Sequence, residues 1–166
     1  MKILFFPILF VIFSTISISA SAQLKGFSFG PYVEAAWPKG AFEQKQGNGF
    51  GLGVTADINL PGRFSATGSA GFLHFRKSID SIHAPHTATN SMTALPLRAG
   101  LKYKLPVVYL KIEGGAAKSL KGEASSLIIS PGLGARILGL DIQGNYETWI
   151  KEGSKSFWGL RIAYHF

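Results

Sequence analysis

The chain has 166 residues, 20 glycines, no cysteine and a formal net charge of +8 at pH 7. The lack of cysteine excludes disulfides, thiolate metal sites and anchoring through a lipidated cysteine. The basic residues are not grouped with aromatic residues in one patch, so the sequence does not indicate a nucleic-acid-binding surface. No motif points to a cofactor, and we expect none.

The first 22 residues have the three parts of a secretory signal peptide. Lys2 provides the positive charge, residues 3–18 form an almost continuous apolar run, and Ala20-Ser21-Ala22 is a small-residue cleavage site. A retained membrane anchor is the alternative, but Pro7 interrupts an uncharged run of roughly 17 residues, the lower limit for a transmembrane helix. The sequence therefore predicts a cleaved signal peptide at 1–22 and one mature domain at 23–166.

The mature region has little helical periodicity and instead alternates apolar and polar residues with a period of two. Eight such stretches are separated by proline, glycine and polar residues. Their length of about 10 to 13 residues exceeds that of most strands in soluble sheets and suits tilted strands that cross a bilayer. The predicted strands are residues 26–37, 49–60, 63–75, 92–104, 107–117, 125–137, 139–150 and 158–166.

Charge separates the two faces of these strands. The apolar faces contain no Asp, Glu, Lys or Arg, whereas five acidic and five basic residues share the opposite faces. Glycines on the polar faces leave room for these long side chains, which could pair inside a barrel too narrow for a water column. The predicted lumen charge network is Glu34, Asp57, Arg98, Lys102, Lys111, Glu113, Arg136, Asp141, Glu147 and Arg161.

The connections between the strands alternate in length. Tight turns are predicted at 61–62, 105–106 and 138–139, and longer polar connections at 38–48, 77–91, 118–124 and 151–154. Short periplasmic turns and long outer loops are typical of bacterial outer-membrane barrels. We therefore predict an all-β fold, an eight-stranded antiparallel up-and-down transmembrane β-barrel with both termini in the periplasm.

Periodicity alone does not say which face points outward. A secreted soluble barrel of the lipocalin kind, binding an apolar ligand, would show the same alternation inverted. The polar face is rich in small residues, which suits a crowded lumen better than a solvated surface. Aromatic residues near strand ends, including Trp37, Tyr103 and Trp158, suit the interfacial girdles of a membrane barrel. These features favour apolar faces turned toward lipid.

Three segments resemble the small outer-membrane β-barrel proteins of the OmpA/OmpX-like kind, including the outer-membrane β-barrel domains abundant in Bacteroidetes. These segments are residues 26–32 (GFSFGPY), 47–54 (GNGFGLGV) and 164–166 (YHF). The family shares an architecture and not one activity. Membership implies location in the outer membrane, with lipopolysaccharide among the surrounding lipids, and we expect a monomer.

The aromatic terminus resembles the signal read by the barrel-assembly machinery during insertion, with Tyr164 and Phe166 as its aromatic positions. The signal usually has glycine five residues before the end of the chain. Arg161 occupies that place here, and Gly159 lies two positions away. The resemblance implies the assembly machinery as a transient partner.

Candidates for chemistry are few. The spaced glycines at 47–53 lack the strand-turn-helix context of a phosphate-binding loop. His83 and His86, with Asp80, could bind Zn²⁺ or Cu²⁺, but a mobile polar loop is the favoured interpretation and we predict no metal site. His74 and Ser78, also near Asp80, are the local candidates for a small outer-membrane lipid-modifying enzyme, and no motif supports them.

The long connections are rich in basic residues, which would make the outer rim of the barrel positive. A basic rim can be held electrostatically near lipid phosphates, although a solvated loop surface is the simpler interpretation. We interpret the chain as a non-enzymatic barrel with a plugged lumen and a structural or surface-interaction role. The basic residues in or beside these connections are Lys39, Lys45, Arg76, Lys77, Lys118, Lys121, Lys151 and Lys155.

Overall fold

The structure is a computed structural model that describes residues 26–77, 91–120, 125–151 and 154–166. The predicted signal peptide at 1–22 lies outside the described residues. So do the metal-ligand candidates His83 and His86 and the enzyme candidates Ser78 and Asp80.

Eight antiparallel strands form one closed barrel, in which each strand pairs with its neighbours in sequence and β1 pairs with β8. This confirms the predicted fold class and strand count. The strands are β1 (Phe27–Lys39), β2 (Gln46–Asn59), β3 (Phe64–Lys77), β4 (Met92–Lys104), β5 (Val108–Ser119), β6 (Ser125–Ile137), β7 (Leu140–Ile150) and β8 (Lys155–Tyr164).

Helical structure within the described ranges is limited to one 3-10 turn, Gly40–Phe42. Across those same ranges, no helix combines the length and the hydrophobicity needed to span a bilayer.

The barrel has two different ends. At the turn end lie the connections 60–63, 105–107 and 138–139 and the ends of the described chain, Gly26 and Phe166. At the loop end lie the connection 40–45 and the strand ends that flank residues 78–91, 120–124 and 151–154. In the turn joining β6 to β7, Leu138 and Gly139 both have positive φ, 51° and 85°, as a two-residue type I′ hairpin requires.

The predicted strand bounds need correction at the loop end. The connection predicted at 38–48 is shorter, 40–45, because β1 continues to Lys39 by pairing with Ser156 on an earlier start of β8. Lys77 and Lys118, which we assigned to loops, are strand residues. The last strand was predicted at 158–166 and runs from Lys155 to Tyr164.

The apolar faces point outward and the polar faces point inward, as the membrane interpretation predicts. Val54, Leu97 and Leu133 on the outer surface are 61 %, 64 % and 61 % exposed, whereas the inward Glu113 is 1 % exposed. A soluble lipocalin-like barrel would have the reverse arrangement. That alternative is therefore wrong, and the outer surface is of the kind that transmembrane barrels present to lipid.

Candidate functional site

The ten charged residues singled out from the sequence all point into the barrel. Nine are almost completely buried, and Arg136 at the turn end is half-buried. Buried charges are tolerated only when they are paired and hydrogen-bonded. The structure brings the ten together in two clusters with equal numbers of acids and cations.

Arg98 on β4 is the centre of the first cluster. Its Nε and Nη2 atoms each donate a hydrogen bond of 2.9 Å to a different carboxylate oxygen of Glu147 on β7. Nη2 also lies 3.4 Å from Oε1 of Glu34 on β1. These contacts cross the lumen between non-adjacent strands, so the guanidinium connects different sides of the barrel wall.

Arg161 on β8 continues this cluster. Its guanidinium lies 3.5 Å from Glu34 and 3.6 Å from Glu113, and Lys111 lies 3.0 Å from Glu113. The same guanidinium lies over the ring of Tyr32, 4.5 Å from its centroid. We call this group the middle ion cluster, and its charged members are Glu34, Arg98, Lys111, Glu113, Glu147 and Arg161.

Two glycines provide space for Tyr32 beside the middle ion cluster. A Cβ atom at Gly53 would lie 2.7 Å from Cζ of Tyr32, and one at Gly71 would collide with the tyrosine hydroxyl. Both glycines face inward on neighbouring strands, β2 and β3. Their lack of a side chain therefore allows a large aromatic ring to fit inside a narrow barrel.

The turn-end ion cluster consists of Asp57, Lys102, Arg136 and Asp141. Lys102 Nζ lies 2.9 Å from Asp57 and 3.4 Å from Asp141, and Arg136 Nη2 contacts both carboxylates. The hydroxyl of Tyr109 donates a hydrogen bond to Asp141. Two acids and two cations thus close the turn end of the lumen.

His165 joins this cluster from just beyond β8. Its Nε2 lies 3.0 Å from Nη2 of Arg136, a geometry in which the neutral ring accepts a hydrogen bond from the guanidinium. Ligand atoms of His165, Asp57 and Asp141 lie within 4.8 Å of one another, as a metal site would require. Lys102 and Arg136 already pair with both carboxylates, so a divalent cation would have to displace a bound cation.

Acidification is expected to weaken the barrel through His165. Burial and the neighbouring Arg136 lower the pKa of His165 from 6.5 to about 4, and Asp57, Lys102 and Asp141 face the same space. Between these pH values the unfolded chain binds a proton that the folded chain does not, so stability falls as the pH decreases from about 6.5 to about 4. Urea unfolding in lipid vesicles across this range measures the slope.

The matched variant is His165→Gln, which keeps a hydrogen-bond acceptor and cannot titrate. We expect it to reduce the slope in this pH window. An unchanged slope in the variant would assign the acid sensitivity to other groups.

An apolar layer closes the loop end of the lumen, and the sequence analysis missed it. Phe42, carried into the mouth by the 3-10 turn, packs against Phe75 with ring centroids 5.0 Å apart. Trp149 connects this layer to the ions below, because its Nε1 donates a 2.6 Å hydrogen bond to Glu147. The layer consists of Ala36, Phe42, Leu73, Phe75, Ala94, Ala117, Ile128, Trp149 and Phe157.

A sequence signal for this layer does exist. Near the loop end the alternation is replaced by adjacent apolar residues, as in 72–73, 127–129, 149–150 and 157–158. Adjacent strand residues point to opposite faces, so such pairs require both faces to be apolar there. In a membrane barrel that means lipid outside and a hydrophobic plug inside.

The predicted interfacial aromatics lie on the outer surface near strand ends. Trp37 pairs with Trp158 across β1 and β8 toward the loop end. Tyr103 lies at the turn end against Phe64, with ring centroids 5.2 Å apart. These positions are those of the two aromatic girdles of membrane barrels.

The aromatic terminus lies at the seam of the barrel. Tyr164 faces outward and packs against Phe166, with ring centroids 5.1 Å apart, and the amide of Phe166 donates to the carbonyl of Phe29. Arg161, at the position where the predicted assembly signal would usually have glycine, belongs to the middle ion cluster. The departure from the motif thus coincides with a buried ion pair.

Cations dominate the loop end of the described chain. One acid, Glu43, lies at this end among the residues that the structure describes. All of the cations are exposed except Lys155, which is half-buried and lies 5.8 Å above the centroid of the Phe42 ring. The basic rim consists of the described residues Lys39, Lys45, Arg76, Lys77, Lys118, Lys151 and Lys155.

His74, the described member of the enzyme candidates, faces outward near the loop end of β3. Its Nδ1 lies 2.8 Å from Oγ1 of Thr93 on β4. This places a polar pair on the outer surface directly below the basic rim.

No family model matches the chain, and no curated protein matches its sequence. Solved structures do match its fold. The N-terminal β-barrel domain of Pseudomonas aeruginosa OprF gives a TM-score of 0.57 at 10% identity, covering 84% of this chain and 97% of that one.

Two further matches have similar coverage. Yersinia pestis Ail, solved in complex with the heparin analogue sucrose octasulfate, gives a TM-score of 0.52 at 20% identity, covering 85% of this chain and 97% of that one. A de novo designed transmembrane β-barrel gives 0.53 at 15% identity, covering 85% and 96%. The chain therefore has the fold of small outer-membrane β-barrels.

Proposed function

We propose that the chain is a non-enzymatic outer-membrane barrel, exported with a cleaved signal peptide at 1–22. Its lumen is closed to ions, and its basic rim binds anionic groups of the outer leaflet. In this orientation the turn end faces the periplasm and the loop end faces outward, as the connection lengths indicate. The aromatic terminus suits insertion by the barrel-assembly machinery. The barrel acts as a monomer and does not bind nucleic acid.

The separation of charge carries this proposal. Five acids and five cations pair inside the barrel, whereas the loop end has seven described cations and one described acid. The interior charges therefore balance in number, and most of the unbalanced described charge lies at the loop end, with Arg63 and Lys104 as the described cations outside the lumen at the turn end. Each basic residue near an anionic lipid surface contributes about 1 kcal/mol to binding at low salt.

The layered interior supports a lumen that does not conduct. Aromatic rings fill the loop end, and the two ion clusters fill the middle and the turn end. An ion passing through would have to disrupt charge pairs that span the barrel. Conductance steps of porin size in a planar bilayer would contradict this part of the proposal.

Lipopolysaccharide phosphates are the anions that we assign to the rim. A barrel of the same fold, Ail, has been solved with a polysulfated sugar, which supports recognition of dense anionic charge by this architecture. Phosphates of outer-leaflet glycolipids provide such charge in the plane of the rim.

Neutralising the rim is expected to weaken binding to lipid A. For Lys39→Gln/Lys45→Gln/Lys118→Gln, three lost cations predict a decrease of up to about a hundredfold at low salt and less at high salt. Native mass spectrometry of the barrel in nanodiscs containing lipid A and phosphatidylcholine measures the bound lipid A.

The control is Arg63→Gln/Lys104→Gln, which removes two cations from the turn end. We expect it to leave lipid A binding unchanged. An equal loss in this variant would show that net charge, and not the rim, determines binding.

A further inference from the structure

The outer surface of β2, β3 and β4 contains an apolar groove that is separate from the ion clusters and the apolar layer inside the barrel. Two adjoining hollows of about 510 and 550 Å³ share Val54, Ala70 and Leu97. Both are lined mainly by apolar atoms and open toward the lipid-facing side. Together they form one continuous groove along the strands.

Two small residues in register on neighbouring strands, Ala56 and Gly68, line the floor of this groove. Gly68 on β3 pairs with Ala56 on β2 and with Ala99 on β4. Phe29, from the neighbouring β1, and Leu97 are larger side chains that line the lower hollow. The surface is therefore recessed where most of the barrel presents Leu, Ile or Phe.

Polar groups follow the groove toward the loop end on the same outward row. After Ala70 and Phe72, this row of β3 continues with His74 and then Arg76. His74 is hydrogen-bonded to Thr93 at 2.8 Å, and Arg76 is an exposed member of the basic rim. From the loop end downward, the surface thus offers a cation, a hydrogen-bonding pair and an apolar groove.

The length of this arrangement suits one leaflet. His74 lies six positions after Gly68, which is about 20 Å along a strand. At a strand tilt of about 40° this becomes about 15 Å of depth, half of a hydrocarbon core of about 30 Å. When His74 lies at the outer interface, Gly68 lies near the bilayer midplane.

We propose that this groove binds one acyl chain of a phosphorylated glycolipid of the lipid A type. Arg76 contacts its phosphate and the His74–Thr93 pair contacts its ester and hydroxyl groups. The assignment rests on the proposed function, which puts the loop end in the outer leaflet. A second copy of the chain is a poorer occupant, since a symmetric contact there would bring the two basic rims together.

The test fills the groove without disturbing the barrel. A Cβ atom at Gly68 has Arg98 O, 3.8 Å away, as its nearest neighbour, so Gly68→Leu projects into open space. Gly144→Leu on β7 is the matched control, because a Cβ atom there has no neighbour within 4 Å and β7 does not border the groove. Both positions face outward.

Native mass spectrometry in nanodiscs with hexa-acylated lipid A measures the effect. We expect Gly68→Leu to bind about tenfold more weakly, through loss of buried methylenes, and Gly144→Leu to bind as the parent does. Compared with the parent protein, Arg76→Gln should bind diphosphorylated lipid A about fivefold more weakly. It should bind dephosphorylated lipid A with the same affinity as the parent.

Three results would overturn the inference: equal affinity of the two leucine variants, binding of phosphatidylglycerol as tight as that of lipid A, or dimers that Gly68→Leu abolishes. If the two leucine variants bind lipid A equally and the Lys39→Gln/Lys45→Gln/Lys118→Gln variant binds it more weakly, the proposed function stands and only the assignment of the groove fails. A rim triple variant with full lipid A binding would instead contradict the proposed function.

Discussion

Replacing Arg98 with methionine is expected to destabilise the barrel by about 3–5 kcal/mol, the cost of leaving a buried charge without its partner. Arg98 is 1 % exposed and forms the bidentate contact with Glu147 as well as the contact with Glu34. Without the guanidinium, two carboxylates in the middle of the lumen lose a cation. Urea unfolding in lipid vesicles, followed by tryptophan fluorescence, measures the loss.

A compensated variant separates the charge imbalance from the loss of packing. In Arg98→Met/Glu147→Gln, the acid that forms the bidentate contact with Arg98 is also neutralised, so the middle ion cluster keeps two acids and two cations. Since replacing a buried ion pair on both sides is often close to neutral, we expect most of the stability to return. Arg63→Met, an exposed cation at the turn end, should change stability by less than about 0.5 kcal/mol. An Arg98 variant as mild as this control would mean that the middle ion cluster contributes little.

The alternation of the sequence, together with the small residues and aromatics that favoured lipid outside, was sufficient to predict which charged side chains enter the lumen. Residues two apart in a strand share a face, so Arg98 and Lys102 had to face the same way as soon as β4 was recognised. Which acid meets which cation could not be predicted. Arg98 on β4 pairs with acids on β7 and β1, and such pairs depend on strand register and barrel closure.

The loop end was predicted less well because both faces of the strands are apolar there. Leu73 and Phe75 lie on the polar parity of β3, yet they pack in the apolar layer. A prediction that gives one face of each strand to lipid and the other to paired ions leaves these inward apolar residues unexplained. Likewise, β2 has a register shift between Gln46 and Gly49, which no period-two pattern predicts.

The groove on β2–β4 was beyond the reach of a one-dimensional pattern for a different reason. Ala56 and Gly68, which line the recess, are unremarkable small residues in their own strands. They form a recess only because the register places them side by side. The sequence predicts which side chains share a face of one strand, whereas the shape of the outer surface depends on how the strands pair.

The second large effect is the cost of placing a charge on the outer surface, which depends on the depth of the residue in the bilayer. We expect Leu97→Arg to destabilise the inserted barrel by about 2–4 kcal/mol, as arginine does at the bilayer midplane on a lipid-facing position. Leu97 is 64 % exposed and lies midway on β4 between Thr93 at the loop end and Tyr103 at the turn end. Folding yield on heat-modifiable gels and urea unfolding in vesicles measure the change.

Leu110→Arg is the matched variant, because it makes the same substitution on the same surface at a different depth. Leu110 is 54 % exposed and pairs directly with Tyr103, at the level of the turn-end aromatics. An arginine there reaches the interface, so the expected cost falls to about 0–1 kcal/mol. A membrane barrel must show this difference between the two leucines, whereas a barrel in water would accept both arginines equally. Equal tolerance would therefore place the apolar surface in contact with something other than a bilayer.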